Sequence, residues 1–347
     1  MAIIPIKLGG RELGPHKAVV DPLLNSRSVL TNSPWTFVSL WLKRNGRTRA
    51  LFYWEQAEEF HRASIGLPIR SAPLLLYYCF MNVAKALLVA KGMAFDEGHG
   101  VRARATPPGQ RRTFPNEAIL IRPRGILPSL AAYYGETETS RTHTLQHLFF
   151  NMVFIHRTYC LTYSSQKEIY LPLANCRYVY DSKTKHVYFK ANIEKDFPYK
   201  TGIRMLPPSF VAAPEIDERA IRSVAFLAWR RPGRPSEANI HELSVFNRAL
   251  RKELQYINGT QALWYLRSPV AGPGQLNRQL PTLILGSMHR LSEICRYHPL
   301  QLDAFLAGQK NWLLSEFIEM SAVQFIDEMA SELTGHQFLV PNVRAAS

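Results

Sequence analysis

The clearest hydrophobic pattern in the chain covers residues 71–92, SAPLLLYYCFMNVAKALLVAKG. Apolar and aromatic residues recur there every three to four positions and fill most positions between, which is typical of a helix buried on most sides. Ser71 suits a helix N-cap, Pro73 suits a first turn that needs no N–H donor, and Gly92 suits a helix end. The sequence therefore predicts a central helix that the other helices of its domain surround.

Helical patterns also occur on both sides of this segment. One helix is predicted to begin near Ser33-Pro34, and an amphipathic helix covers residues 51–66. The apolar run TLQHLFFNMVFIH, residues 144–156, predicts a further helix. Near the C-terminus, three more helical segments are predicted at residues 282–297, 300–306 and 311–333.

The middle of the chain shows the alternating pattern of β-strands. Two runs rich in aromatic and β-branched residues flank Ser182 to Lys185 and predict a hairpin over residues 168–193. A second hairpin is predicted at Asn258-Gly259, a pair that favours a type I′ turn. The tyrosines and lysines of the first hairpin suit a nucleic-acid-binding sheet face, but cross-strand packing is the commoner role of strand aromatics and is the preferred interpretation.

Together these patterns predict an α+β fold with four consecutive parts. An extended N-terminal arm at residues 1–34 precedes a helical domain at 35–160, which contains an arginine-rich insert at 101–125. A β-rich middle region at 161–270 and a helical region at 271–347 follow. The C-terminal helices are expected to pack back on the first helical domain.

Composition narrows the class of protein. A chain of 347 residues with 46% hydrophobic content can bury a large core. Lys85 and Lys91 interrupt the longest apolar run, so we expect no transmembrane span. The N-terminal segment lacks the pattern of a secretory signal, and the four cysteines have neither metal nor redox spacing and are expected to be reduced and buried. These features predict a cytoplasmic protein.

The motifs of most common enzyme classes are missing from the sequence. It has neither a phosphate-binding G-x-x-x-x-G-K-[ST] loop nor a G-x-G-x-x-G turn, so no nucleotide cofactor is expected. It also lacks G-x-S-x-G, H-E-x-x-H and the Cys/His spacing of zinc sites, so no metal is expected.

The charge balance is the strongest global indication of function. The net charge is +15, and arginine supplies 29 of the 42 basic residues. Because the arginine guanidinium forms bidentate contacts with phosphate and carboxylate groups, the expected partners are nucleic acid or an acidic protein. Excess basic charge that only keeps the chain in solution is the simpler alternative.

The arginines are densest in the segment VRARATPPGQRRTFPNEAILIRPRG, residues 101–125. Its prolines and glycines predict a loop or an extended arm rather than a helix. Such a segment could follow the phosphates of a nucleic acid and stack a base on its phenylalanine, or it could be a solvated loop. The candidate nucleic-acid-binding residues, with two more from the middle region, are Arg102, Arg104, Arg111, Arg112, Arg122, Arg124, Arg230 and Arg231.

Two segments resemble a known family. The helix with YWEQAEEFHRAS, followed by the helix SAPLLLYYCFMNVAKALLVAKGM, is similar to the YaaC-like family of bacterial proteins, and the segment LPTLILGSMHRLSEICRYHP supports that resemblance. The first half also resembles the HEPN superfamily of helical domains. The YaaC-like family has no assigned activity, whereas HEPN domains are often metal-independent ribonucleases in toxins and antiviral defence, and others are binding or dimerisation modules.

The HEPN resemblance implies a catalytic pair: an arginine that holds phosphate and, separated from it by four to six intervening residues, a histidine for acid–base chemistry. Three pairs have this spacing, about as many as composition alone produces. Arg141 and His147 are the preferred candidates because they follow the central helix and begin an apolar helix. The i, i+4 spacing of His143 and His147 would also suit a metal, although no third ligand lies nearby in the sequence.

Two functional hypotheses from different classes follow. The preferred one is a nucleic-acid-binding protein that favours RNA over DNA, with metal-independent ribonuclease activity in a toxin or defence setting as its enzymatic form. The alternative is a non-catalytic subunit that dimerises or docks an acidic partner protein. A homo-oligomer is expected in either case.

Overall fold

The computed structural model describes residues 3–104, 113–230, 233, 235–259, 262–269 and 274–341. Its helices are α1 (Pro34–Arg44), α2 (Thr48–Ser64), α3 (Ala72–Ala90), α4 (Ile126–Tyr134), α5 (Leu145–Phe150), α6 (His156–Thr162), α7 (Tyr199–Arg204), α8 (Glu237–Leu250), α9 (Leu280–Tyr297), α10 (Pro299–Ala307) and α11 (Asn311–Thr334). Its strands are β1 (Ile3–Pro5), β2 (Lys7–Leu8), β3 (Arg11–Glu12), β4 (Val29–Leu30), β5 (Val101–Arg104), β6 (Ala118–Ile121), β7 (Thr142–Thr144), β8 (Tyr170–Asp181), β9 (His186–Ile193), β10 (Phe210–Ala212), β11 (Ala220–Ser223), β12 (Leu227–Ala228), β13 (Leu254–Ile257), β14 (Leu263–Arg267) and β15 (Phe338–Leu339). The fold class is α+β, as the sequence predicts.

The chain forms two compact units, and each is assembled from separated stretches of sequence. The helical unit contains residues 31–167 and 272–334. The sheet unit contains residues 1–30, 168–271 and 335–347.

The sheet unit is built on one antiparallel sheet with the strand order β10-β11-β9-β8-β14-β13, with β1 also paired to β8 and β12 to β9. The predicted hairpin over residues 168–193 is confirmed as β8 and β9. Tyr178 and Tyr180 are buried in the core of this unit, which agrees with the packing interpretation of the strand aromatics.

Two features of the sheet unit differ from the sequence analysis. The hairpin of β13 and β14 exists, but Ile257 pairs with Leu263, so residues 258–262 connect the strands and the predicted two-residue turn is wrong. Helix α8 was not predicted. Its start is nevertheless encoded locally, because the Ser236 side chain accepts a hydrogen bond from the Asn239 backbone N–H, and the two residues form a capping box.

Helix α3 is the centre of the helical unit and confirms the predicted central helix. It packs against α2, α4, α9 and α11. Among the described residues it is the one helix long and apolar enough to cross a membrane, but 72% of that apolar window is buried inside the protein, as in a core helix. Ser71 does not act as the predicted cap, because its backbone is helical and its side chain makes no capping hydrogen bond.

The helices predicted on either side of α3 are present. Ser33 accepts a hydrogen bond from the Thr36 backbone N–H at 3.2 Å and so caps α1. Helices α9, α10 and α11 match the three predicted C-terminal segments closely. Since α9 and α11 pack directly on α3, helices from both ends of the sequence share one core.

The run 144–156 is not one helix. It contains α5, a 3₁₀ turn at Val153–Ile155 and the first residue of α6. The break falls at Asn151, whose side-chain amide N–H donates to the His147 and Gly274 carbonyls and whose Oδ1 accepts the Leu276 N–H. The apolar periodicity continues through the break because both halves face the same core, so sequence alone does not reveal it.

A loop or an extended arm was predicted for the arginine-rich insert, and its described part contains extended segments that pair as strands. Strands β5 and β6 form an antiparallel pair, and β7 adds to β6, so that the helical unit contains a three-stranded sheet. Val101 and Ile121 alternate with exposed residues and are buried on the inner face. This alternation places the β5 arginines on the outer face, on which Leu120 is partly buried.

Candidate functional site

The outer face of the three-stranded sheet carries arginines. Arg102 and Arg104 lie two residues apart on β5 and are both exposed. The backbone N–H of Arg122 donates to the Gly100 carbonyl at 2.9 Å, so Arg122 continues the same alternation beyond the end of β6 and is also exposed. We call Arg102, Arg104 and Arg122 the arginine face. None of the three forms an ion pair within the part of the chain that the structure describes.

The inner face of this sheet packs closely on α9. Ile119, which is 1% exposed, lies against Gly286, where a Cβ atom would stand 2.9 Å from the Ile119 Cδ1 atom. Because Gly286 has no side chain, the Ile119 side chain packs directly against the backbone of the core helix. The arginine face is therefore presented from a rigid support.

A cleft of about 400 Å³ lies beside the arginine face. The loop before β5 and the loop after β6 form its walls. The lining residues are Asp96, Gly98, His99, Gly100, Val101, Arg122, Pro123 and Arg124. The exposed guanidinium groups of Arg122 and Arg124 give the cleft a positive edge. We call this cleft the arginine cleft.

Two glycines hold the loops of the arginine cleft together. Gly100 and Gly125 have φ angles of +72° and +121°, which residues with a side chain rarely adopt. A Cβ atom on Gly125 would stand 2.4 Å from the Gly100 Cα atom. Backbone hydrogen bonds from Ile126 to Gly98 and from Leu127 to His99 also join the loops, at 2.8 and 3.2 Å. These hydrogen bonds use the first N–H groups of α4.

His99 connects the arginine cleft to buried groups of α3 and α9. Its Nδ1 atom forms a short hydrogen bond with the Tyr77 hydroxyl, and the two rings are stacked 5.5 Å apart at 18°. The His289 ring lies edge-on to both, at 5.0 Å from Tyr77 and 5.7 Å from His99. Burial raises the pKa of Tyr77, and burial lowers the pKa of His289 to about 3, with His99 and nearby arginines as further causes.

The protonation of His99 follows from its surroundings. Partial burial lowers its pKa most, and the Lys85 and Arg296 charges act in the same direction, whereas Glu293 opposes them. Both His99 and His289 are therefore neutral at pH 7. Neutral rings retain one N–H donor and one acceptor each, and they add no charge to the arginine cleft.

A buried ion pair joins Arg290 of α9, next to His289, to Glu117, directly before β6. Arg290 binds Glu117 through two guanidinium nitrogens and donates to the Glu293 carboxylate at 3.1 Å. Glu117 is fully buried, and its other carboxylate oxygen accepts from the Gln301 side chain at 2.7 Å. Glu117 is the one acidic residue in the segment 101–125, and sequence analysis assigned it no role.

The predicted catalytic pair lies in the helical unit, at the end of the sheet. Arg141 is exposed immediately before β7, and its carbonyl accepts the Ile121 N–H at 2.8 Å. His147 lies on α5 and donates its Nε2–H to the Gly274 carbonyl at 3.1 Å. The remaining ring nitrogen, Nδ1, carries no proton in the neutral ring, so an acid–base role would fall to that atom.

The metal alternative for His143 and His147 finds no support in the described residues. Their ring centroids are 6.1 Å apart, but no cluster of three or more metal-binding side chains occurs in the described part of the chain. His143 Nε2 instead accepts a hydrogen bond from the Arg278 Nε at 3.1 Å, and Arg278 also binds the buried Glu136 at 2.9 Å. Burial, aided by the Arg278 charge, lowers the pKa of His143 to about 4.

The remaining predicted arginines divide between the two units and the undescribed segments. Arg230 is exposed and belongs to the sheet unit, after β12. Arg111, Arg112 and Arg231 lie outside the described residues.

Sequence analysis missed His99, which the structure places at the junction of the cleft and the core. The signal was present in the sequence as a histidine between two glycines, Gly98 and Gly100, directly before the arginine-rich strands. Flanking glycines allow the backbone to approach other chain segments closely, as Gly100 does against Gly125.

Fold and site define an α+β protein with an exposed arginine face and an adjoining cleft in its helical unit. The model of the family described as YaaC-like Protein matches residues 26–333, and the chain belongs to that family. Comparison with curated proteins and with solved structures gives no match. The resemblance of the first half to the HEPN superfamily stays a prediction.

Proposed function

We propose that the helical unit binds nucleic acid through the arginine face, with RNA preferred over DNA. The observation that carries the proposal is the exposure of Arg102, Arg104 and Arg122 on one sheet face without ion-pair partners among the described residues. Exposed guanidinium groups neutralise phosphates and release condensed counterions, which supplies most of the affinity for a polyanion. The preference for RNA rests on the HEPN resemblance.

The charge of the whole chain supports this proposal. A net charge of +15 attracts a polyanion over a long range and speeds association. Two acidic residues of the helical unit already pair with other arginines: the Glu117 carboxylate is buried against Arg290, and Glu97 lies 3.6 Å from Arg49. The arginine face therefore keeps its positive charge for an external partner.

Binding of labelled single-stranded RNA and DNA to two charge-matched variants tests the proposal. One variant changes Arg102, Arg104, Arg122 and Arg124 to Gln. The control changes four exposed arginines elsewhere, Arg27, Arg44, Arg47 and Arg248, to Gln and removes the same charge. We expect the first variant to lose at least tenfold in RNA affinity at low salt, and the control to lose much less.

Two results would overturn the proposal. Equal losses in both variants would assign binding to net charge rather than to the arginine face. A wild-type protein that binds neither RNA nor DNA at low salt would leave an acidic partner protein as the target of the arginines.

Metal-independent RNA cleavage by Arg141 and His147 is the enzymatic form of the proposal. In it, Arg141 binds the scissile phosphate and His147 Nδ1 accepts the proton of the ribose 2′-hydroxyl as that oxygen bonds to phosphorus; the bond from phosphorus to the 5′-oxygen breaks, and water protonates the leaving oxygen. Its support is the position of Arg141 beside Ile121, one residue before the arginine face. We expect wild-type protein to cleave RNA in EDTA, and Arg141→Ala and His147→Ala to abolish cleavage, while His241→Ala on the sheet unit retains it. Intact RNA after incubation with wild-type protein would reject the activity and leave the binding proposal in place.

A further inference from the structure

We infer that the arginine cleft binds one nucleoside phosphate, either as a free mononucleotide or as the terminal residue of a strand. This inference rests on the nucleic-acid-binding function proposed above, because the cleft and the arginine face share Arg122. It goes further because it assigns to the cleft a ligand of one nucleotide, which has both a base and a phosphate.

The size of the cleft favours a nucleotide over a simple anion. Its volume of about 400 Å³ falls in the range of small-molecule sites, about 300–1,000 Å³. Inorganic phosphate would fill only a small part of that space. Val101 and Pro123 provide apolar surface in the same cleft, which an inorganic anion would not use.

His99 provides a ring on which a base can stack. The hydrogen bond between Nδ1 and the Tyr77 hydroxyl fixes the orientation of the imidazole, and the two rings are nearly parallel, at 18°, with centroids 5.5 Å apart. Histidine is among the rings on which proteins stack unpaired bases, and such stacking tolerates any base. Tyr77 is 4% exposed and belongs to the central helix, so it acts as a positioning residue for His99.

Arg122 and Arg124 provide the phosphate contact at the edge of the cleft. Both are exposed, line the cleft and form no ion pair in the described part of the chain. They flank Pro123, whose ring restricts the backbone between them. Asp96 also lines the cleft, with Oδ1 accepting the Gly98 N–H at 3.1 Å, and its other oxygen is an acceptor for a base amino group or a ribose hydroxyl.

The cleft is preorganised. The contact of Gly100 with Gly125 and the three backbone hydrogen bonds between the loops fix the spacing of His99 from the two arginines. A site that is already in its binding geometry loses little entropy when a ligand enters. This preorganisation matters most for small ligands, because they form few contacts that could offset the entropic cost of ordering the site.

Calorimetric titration of the full chain tests the inference directly. The ligands are the four nucleoside 5′-monophosphates, the corresponding nucleosides, inorganic phosphate, and one RNA decamer with either a 5′-phosphate or a 5′-hydroxyl. We expect mononucleotides to bind at least tenfold more tightly than nucleosides or phosphate and to compete with the decamer. A tighter complex with the 5′-phosphorylated decamer than with free mononucleotide would identify a strand end as the ligand, and the reverse order would identify the free nucleotide.

Four variants separate the cleft from the arginine face. His99→Ala and Arg124→Gln are expected to weaken mononucleotide binding at least tenfold, whereas Arg104→Gln weakens only the decamer. His99→Phe keeps a ring for stacking and is expected to restore most of the affinity that His99→Ala loses. Melting curves of each variant confirm that the exposed substitutions leave the fold intact.

The outcomes distinguish the two proposals. Decamer binding without mononucleotide binding, and without a difference between the two 5′ ends, would overturn the cleft inference and leave the arginine face as the interface. Inorganic phosphate that binds as tightly as mononucleotides would also overturn it. Absence of binding to every ligand would reject both proposals.

Discussion

Arginine has two distinct environments in the helical unit. Arg278 and Arg290 are at most 6% exposed, and each binds a buried glutamate, Glu136 or Glu117. Arg102 and Arg104 are exposed on the three-stranded sheet of the same unit and have no ion-pair partner among the described residues. All four arginines have the same side chain, so only their surroundings distinguish those that stabilise the fold from those available to a ligand.

The difference follows from the cost of moving charge out of water. A buried guanidinium requires a paired carboxylate and satisfied N–H groups, and Arg278 meets this requirement with Glu136, His143 and the Ser140 carbonyl. An exposed guanidinium is solvated and needs no partner for the fold. A cluster of exposed, unpaired arginines therefore repels itself slightly, which is consistent with a surface kept for an external anion.

The largest expected effect comes from breaking a buried pair. Arg290→Met leaves Glu117 buried without its cation, so we expect the free energy of unfolding to fall by about 3–5 kcal/mol. Urea unfolding measures the change. Adding Glu117→Gln to the same chain removes the orphaned charge and should recover part of the loss. Equal stability of wild type and Arg290→Met would contradict the structural assignment of this arginine.

The glycine contact that closes the cleft should matter next. Gly125→Ala forces a Cβ atom against the Gly100 backbone at a φ of +121°, and we expect a loss of about 2–3 kcal/mol. Gly92→Ala is the matched control, since Gly92 also has positive φ but has no atom within 4 Å of its added Cβ, and it should cost about 1–2 kcal/mol. Thermal melts of both variants test whether Gly125→Ala destabilises the protein more than Gly92→Ala does. A larger loss in Gly92→Ala would contradict the contact between the loops.

A smaller effect is expected from pH, through His289. The folded chain keeps this ring neutral down to about pH 3, whereas the unfolded chain protonates it near pH 6.5, so the unfolded state binds more protons between these values. Stability therefore falls as pH decreases through that window, by about 1–2 kcal/mol for this residue between pH 7 and pH 5. His289→Gln should flatten the pH dependence, and the exposed His241→Gln should not. An unchanged slope in His289→Gln would contradict the buried neutral histidine.

The exposed arginines should have the smallest effect on stability. Arg102→Gln and Arg104→Gln are each expected to change the free energy of unfolding by less than about 0.5 kcal/mol, because neither side chain is buried or paired among the described residues. Urea unfolding at moderate ionic strength measures the free energies of unfolding of these variants and of Arg290→Met under the same conditions. A loss above about 2 kcal/mol would indicate that these arginines belong to the fold.

Local patterns were sufficient to predict most of the helices. The period of residues 71–92 and the Pro and Gly residues near their ends predicted α3, and similar signals predicted α1 and α9 to α11. The hairpin of β8 and β9 was predictable for the same reason, since its alternation and turn residues are contiguous in sequence. Each of these elements is specified by residues within one short segment.

Features that depend on distant residues were not predictable in this way. The break between α5 and α6 depends on Asn151 and its hydrogen bond to Gly274, which lies 123 residues away. The arginine-rich insert has proline and glycine signals of a loop, but β5 forms a strand because β6 offers it a partner and α9 covers its apolar face. The flanking glycines gave a local signal for His99, but its contacts with Tyr77 and His289 could not be predicted because those residues are distant in the chain.

The salt dependence of RNA binding tests the central claim, that the arginine face is a nucleic-acid interface, most directly. The logarithm of the affinity for single strands falls against the logarithm of salt concentration with a slope of about −0.7 per phosphate contact. Changing Arg102, Arg104, Arg122 and Arg124 to Gln should make that slope shallower by about 2–3, while the variant at Arg27, Arg44, Arg47 and Arg248 leaves it nearly unchanged. Identical slopes for the wild type and both variants would contradict the claim.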